Sequence, residues 1–270
     1  MVQWGLSGQT AVITGGGGIL CSRMARDMAA MGVNIAVLDI NKQAAEAVSD
    51  DIQKAGGRAI ALVCNVLEKP SVEAAAAAVL KEFGQVDILI NGAGGNKPAA
   101  TASPDQSFFD IPAEALQWVF NLNLTGAILP SQVFGRSMAQ AKKGNIINIS
   151  SMSAYVPLTR VVAYSAAKAG ITNFTQWLAV YMNREASPDI RVNAIAPGFL
   201  LTEQNYFLLK NEDGSDTPRG QSVLHKTPMN RYGNPEDLVG AVCFLCSDAA
   251  AFITGTVLPV DGGFLAFSGV

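Results

Sequence analysis

The sequence predicts an α/β protein: a single-domain, doubly wound sheet of Rossmann type over residues 1–270, with seven parallel strands and helices on both faces. Three observations predict it. Seven short apolar segments alternate with helical stretches almost to the C-terminus. They are continuously apolar rather than alternating, as strands covered on both faces must be. The first of them runs into four glycines, Gly15 to Gly18, and then into a helical pattern. Hydrophobic residues make up 49% of the chain and charged residues 15%, enough apolar material to bury both faces of such a sheet.

The elements follow in order. Thr10–Thr14 reads as the first strand and Ser22–Met31 as a helix stopped by Gly32. Asn34–Asp39 is the second strand. Lys42–Ala55 is the second helix, with Gly56-Gly57 behind it. Arg58–Val63 is a third strand, and Ser71–Phe83, rich in helix-forming alanine, a third helix. Val86–Ile90 is the fourth strand. A long helical region covers about Ala113–Ala141, followed by the strand Asn145–Ser150 and a helix over about Ala163–Arg184. Arg191–Ile195 and Thr256–Val260 are the last strands, and a closing helix between them starts after Pro235-Glu236-Asp237. Right-handed crossovers make this order a doubly wound sheet.

Two loops break the rhythm: 96–112 after the fourth strand and 202–234 after the sixth. Both leave the carboxyl ends of strands, where open α/β sheets bind ligands. The second is read as a substrate lid.

Composition narrows the function classes. Net charge is −3, with no basic patch for nucleic acid. No apolar run approaches the roughly 20 residues of a membrane span. The opening Met1-Val2-Gln3-Trp4 leads into Leu6-Ser7-Gly8 with no basic leader. The expectation is a cytoplasmic protein. Cys21, Cys64, Cys243 and Cys246 show no framework spacing, and Cys243-Phe-Leu-Cys246 sits in an apolar helical stretch where thiols act as small hydrophobes. No metal site is expected.

The glycine turn can bring backbone close to a pyrophosphate at a helix N-terminus. Asp39 closes the second strand 24 residues after Gly15. A carboxylate there accepts both ribose hydroxyls of an adenosine and repels a 2′-phosphate, so NAD(H) is favoured over NADP(H). Asn91-Gly92-Ala93-Gly94-Gly95 offers small residues against which a flat cofactor can lie.

Tyr164 and Lys168, four apart, share one helix face, and Ser151 lies 13 residues upstream. A free Tyr titrates near pH ~10. A fixed ammonium beside it favours the phenolate, and lowering its pKa by about three units needs roughly 4 kcal/mol.

These motifs occur together and in order: the glycine turn, Asp39, Asn65-Val66, Asn91-Gly92-Ala93-Gly94, Asn123-Leu124-Thr125-Gly126, Ser151, Tyr164-x-x-x-Lys168, Pro197-Gly198 with Thr202, and Asp261-Gly262-Gly263. In this set the chain resembles the short-chain dehydrogenase/reductase family over essentially its whole length. The resemblance implies Tyr164 as general acid/base and Ser151 as the group polarising the carbonyl. Lys168 would lower the Tyr164 pKa and hold the nicotinamide ribose. Asn123 would organise the water linking Lys168 to solvent. It further implies a cofactor held by Gly15, Gly17, Gly18, Ile19, Leu20, Asp39, Asn65, Val66, Asn91, Ala93 and Gly94, with Ile195, Pro197, Gly198 and Thr202 at the nicotinamide end. A homotetramer is implied, with Phe264–Phe267 available for an interface. One departure stands out. Where the family turn reads Thr-Gly-x-x-x-Gly-x-Gly, the last two glycines fall on Ile19 and Cys21. Cys21 adds bulk near the phosphates, with weaker cofactor binding as the expectation.

For the substrate, Asn96, Lys97, Arg160, Gln204, Asn205 and His225 are the candidate polar contacts. Arg160 suits a carboxylate, which guanidinium binds in a bidentate way. The stretches around Gly94-Gly95-Asn96, Pro157–Arg160, Phe174–Leu178 and Pro197–Asn205 resemble the sugar-acid branch of the family, which interconverts D-mannonate and D-fructuronate. The alternatives are a gluconate 5-dehydrogenase-like or 3-oxoacyl-carrier-protein reductase-like enzyme, or a non-catalytic dinucleotide sensor.

Overall fold

The computed structural model describes residues 4–269, so Met1-Val2-Gln3, read above as lacking a leader, lie outside the described residues. Seven strands form one parallel sheet in the order β3-β2-β1-β4-β5-β6-β7. They are β1 (Thr10–Thr14), β2 (Asn34–Asp39), β3 (Ala59–Val63), β4 (Ile88–Asn91), β5 (Gly144–Ile149), β6 (Ile190–Pro197) and β7 (Val257–Val260). The order reverses between β1 and β4, whose paired ends Thr14 and Asn91 lie side by side. That reversal opens a crevice above the sheet.

Helices cover both faces. On one side lie α1 (Ile19–Ala30), α2 (Lys42–Lys54) and α9 (Glu236–Cys246), with Met24, Met28, Ile52, Leu238 and Val242 packed on the strands. On the other lie α3 (Lys69–Phe83), α5 (Gly126–Ala141) and α6 (Val162–Tyr181), through Val72, Val79, Phe134, Met138 and Leu178. Cys243 and Cys246 are buried in α9 among these apolar neighbours. Arg191, in β6, is buried because its guanidinium donates to the carbonyls of Leu245 (2.6 Å) and Ser247 (3.0 Å) at the end of α9. A cation there also suits the negative end of the helix dipole.

The long helical region is not continuous. α4 (Ala113–Phe120) passes into a wide π-turn, Asn121–Thr125, before α5 begins. A π-turn frees backbone carbonyls from the regular ladder. The Asn123 amide takes one of them, donating to Val119 O at 2.8 Å.

The 202–234 excursion contains α7 (Tyr206–Leu209) and α8 (Pro218–His225) around a small core of Leu209, Val223 and Tyr232. Its base is tied by backbone bonds from Leu201 N to Gly233 O and from Gly233 N to Phe199 O. Of the C-terminal aromatics, Phe264 is buried against Phe199, with ring centroids 5.6 Å apart. Among the described residues no helix is long and apolar enough to cross a membrane.

Candidate active site

The crevice is built by the turn after β1 and the loop after β4. Gly15 has a φ of +63°, and a Cβ there would come within 2.8 Å of the Ala93 Cα, so only glycine lets these two loops touch. Thr14 joins them from below: its hydroxyl accepts from Gly92 N at 3.2 Å and Ala93 N at 3.3 Å. Gly18 precedes α1 with no side-chain cap. The first-turn amides of α1 are therefore not used by a capping side chain. The Asp39 carboxylate accepts from Gly17 N at 3.0 Å and Asn41 N at 2.9 Å.

A hollow of about 330 Å³ lies over this turn. Gly15, Gly18, Ile19, Leu20, Asp39, Asn65, Val66, Ala93 and Gly94 line it. It meets a larger cavity, about 790 Å³, along Ile19, Leu20, Ile149 and Gln204. Ser151, Tyr164, Pro197, Gly198 and Thr202 line the larger one, together with Asn96, Arg160, Gln204 and Asn205. The fold thus brings most of the candidate residues into one continuous groove.

Ser151 enters from the end of β5 and Tyr164 from the first turn of α6. Lys168, one turn further on, is only 5% exposed. Its Nζ donates to Ile149 O at 2.7 Å and stands 5.5 Å from the Tyr164 ring centroid. Asn123, 1% exposed, clamps the Gly95 peptide from both sides: Nδ2 donates to Gly95 O at 2.6 Å, and Oδ1 accepts from Gly95 N at 3.1 Å. A Cβ on Gly94 would sit 2.8 Å from Asn123 Oδ1 and 3.4 Å from Lys168 Nζ. The loop, the π-turn and the lysine therefore meet at a residue that must lack a side chain.

Burial dominates the electrostatics. It pushes the Tyr164 phenol above its ordinary value, with hydrogen bonding to Ser151 pulling the other way. It pushes the Lys168 amine down to about 8. The phenol is raised by desolvation, and the interaction opposing that comes from Ser151.

Other expectations also change. The Asn91 side chain turns away from the groove, donating to Ser131 Oγ at 2.9 Å and Asn148 Oδ1 at 2.8 Å. It ties β4 to β5 and α5 beneath the site. Gly17 is set against α2, where a Cβ would come within 2.7 Å of the Ala44 Cβ. Ile195 is wholly buried in the sheet core. His225 closes α8 beside the Phe267 ring, outside both hollows. The Asn205 side chain is occupied by its own loop, accepting from Thr202 N at 2.8 Å and donating to Leu200 O at 2.7 Å. Cys21 is buried, and its sulfur packs on Gly92. Sequence reasoning missed Thr14 as the tie between the loops, and Arg219, which reaches the larger cavity from α8.

Comparison with known proteins agrees with this geometry. A family model described as enoyl-(acyl carrier protein) reductase matches residues 19–265. An uncharacterized oxidoreductase of Bacillus subtilis is 50% identical over 274 residues, covering 98% of each chain. The D-threitol dehydrogenase of Mycolicibacterium smegmatis is 36% identical, covering 96% of this chain and 94% of that one. Among solved structures, a Haemophilus influenzae protein provisionally named a D-mannonate oxidoreductase, crystallised with NAD, has a TM-score of 0.93 at 47% identity over 98% of both chains.

Proposed function

The chain belongs to the short-chain dehydrogenase/reductase family, and from that premise we propose that it interconverts a secondary alcohol and a ketone on a sugar acid of the D-mannonate/D-fructuronate type, with NAD(H). The observation that carries the substrate class is the charge of the larger cavity. Lys97, Arg160 and Arg219 line it, and no Asp or Glu does among the described residues. A hollow with positive charges and no internal counter-charge favours an anion. The similarity to the Haemophilus protein supports the same reading.

The residues present fit a dinucleotide. The glycine turn approaches the Ala93 backbone too closely for a Cβ, α1 opens without a side-chain cap, and Asp39 lines the groove at the end of β2. The α1 amides would hold the pyrophosphate and Asp39 the adenosine ribose. When bound, NADH supplies the hydride. Ser151 and Tyr164 then hold the substrate carbonyl oxygen between two hydroxyls, and the Tyr164 phenol gives its proton to that oxygen as it becomes an alkoxide. In reverse the phenolate takes it back. Lys168 contributes a positive charge beneath the tyrosine. Asn123 keeps the Gly94-Gly95 loop and the lysine in register. The exposed apolar face of α6, with Trp177 stacked on Tyr181 at 5.2 Å, supports packing against a second copy of the chain.

Turnover of a panel of sugar acids, neutral polyols and acyl thioesters with NAD(H) tests the reading. Reduction of D-fructuronate and oxidation of D-mannonate are expected; activity on acyl thioesters alone would overturn it. Tyr164→Phe should still bind NADH while losing roughly 10²–10⁴-fold in rate. Unchanged turnover removes Tyr164 from the chemistry.

A further inference from the structure

The 202–234 segment is a preassembled unit rather than a slack loop. Lys210 pairs with Asp216 at 2.8 Å, and the Tyr232 hydroxyl donates to the same carboxylate at 2.8 Å. Thr217 caps α8 by accepting from Gly220 N at 3.0 Å, and its hydroxyl donates to Leu208 O at 2.8 Å. Gly220 lies so close to Leu209 O and the Tyr232 hydroxyl that a Cβ would collide with both. This packing fixes the start of α8, and with it the place of Arg219.

Arg219 lines the larger cavity from the lid, and Arg160 lines it from the loop between Ser151 and Tyr164. Partial burial is the main effect bringing the Arg219 pKa down, and repulsion from the Arg160 guanidinium adds to it. Neither side chain is paired with a carboxylate among the described residues. Two like charges lining one cavity from separate elements are a cost that a bound anion removes.

We infer that Arg219 and Arg160 form a two-sided clamp for the substrate carboxylate, so that the negative charge of the substrate itself draws the lid unit against the body of the protein. Arg219 is then a specificity-determining residue, selecting sugar acids over uncharged polyols of the same shape. Neither arginine takes part in the hydride or proton transfer. The clamp rests on the sugar-acid reading above.

The test compares Arg219→Met, Arg219→Lys and wild type on D-mannonate and on the uncharged D-mannitol with NAD. The expected result for Arg219→Met is a KM for D-mannonate raised about 10–100-fold, the scale of one lost charge-assisted bidentate contact. Its kcat should stay within about threefold, and D-mannitol kinetics should change less than about twofold. Arg219→Lys should recover part of the loss, because it keeps the charge but not the fork. Equal losses on both substrates would assign Arg219 a purely structural role, and an unchanged KM for D-mannonate would remove it from binding; either overturns the clamp.

A second readout does not depend on turnover. D-gluconate and D-mannonate, as probes, should slow hydrogen exchange in 202–234 in wild type and not in Arg219→Met. If wild type turns over no sugar acid yet shows this Arg219-dependent protection, the function reading fails and the clamp stands. If sugar acids turn over without that protection, the clamp fails and the function stands.

Discussion

The sulfur of Cys21 fills the space beside the α-carbon of Gly92, where any Cβ would collide with it. Cys21 takes the place of the last glycine of the family turn, and Gly92 opens the loop after β4. The bulk added to the turn is thus accommodated by a glycine on a neighbouring strand end. It packs inward, and burial pushes the thiol up to about 12, leaving it neutral at pH ~7. Its sulfur also forms part of one wall of the groove.

The pairing makes a prediction. Gly92→Ala should cost about 1–3 kcal/mol in stability, the usual range for overpacking, and should weaken NADH binding by displacing the Gly92-Ala93 amides. Adding Cys21→Ala should restore only part of the loss, because the Thr14 carbonyl would still lie 2.8 Å from the new methyl. Chemical denaturation and NADH fluorescence titration of both single variants and the double variant measure this. Strict additivity would show that the two residues are not in contact.

Lys168 should make stability depend on pH in an unusual direction. Its amine titrates near 10.5 unfolded and is pushed to about 8 by burial. The native state therefore binds fewer protons than the unfolded chain between these values, and stability rises with pH across that window. Below about pH 8 the charged amine costs on the order of 3 kcal/mol. Lys168→Met removes that cost but also the bond to Ile149 O, worth about 1 kcal/mol. The variant should be more stable than wild type at pH ~7, and the advantage should vanish above pH ~10.5. Urea unfolding at the two pH values decides it; a difference independent of pH would contradict the burial argument.

Ser151 should tune the acidity of Tyr164 as well as contact the carbonyl. Burial raises the phenol, and the Ser151 hydroxyl opposes it. In Ser151→Ala burial acts unopposed, so the phenolate forms at still higher pH. Alcohol oxidation needs the phenolate as base, so its kcat/KM should rise with pH. In the variant the rising limb should move to higher pH, in addition to any loss of rate. A profile carried above about pH 10, the ordinary phenol value that burial exceeds here, reads this. A limb in the same position would show that Ser151 acts on the carbonyl alone.

Much of the architecture was readable because parallel strands buried on both faces carry continuous apolar runs. β1 and β2 fall at their expected residues. The break at Asn121–Thr125 was not readable, since a π-turn keeps helical periodicity while shifting register by one residue. Local spacing placed Tyr164 and Lys168 on one helix face, and strand-end position placed Asp39 and Ser151 at the groove. Side-chain direction in the loops could not be read this way. Gly17 serves helix packing, Asn91 points down into the Asn148 and Ser131 network, and His225 ends beside Phe267.

What the sequence determined by itself is the set of residues whose position follows from local chemistry: the strands from hydrophobic runs, the phosphate turn from glycine, and the tyrosine-lysine pair from helical spacing. Only the tertiary structure decided how distant segments meet. Cys21 and Gly92 are complementary because β1 and β4 are neighbours, and Arg219 lines the same cavity as Arg160 because the 202–234 segment, held by the Tyr232–Asp216 bond, carries it there. The physical reason is range. Propensity and periodicity act over a few residues, whereas steric complementarity and charge act between whatever the folded chain brings within a few ångströms.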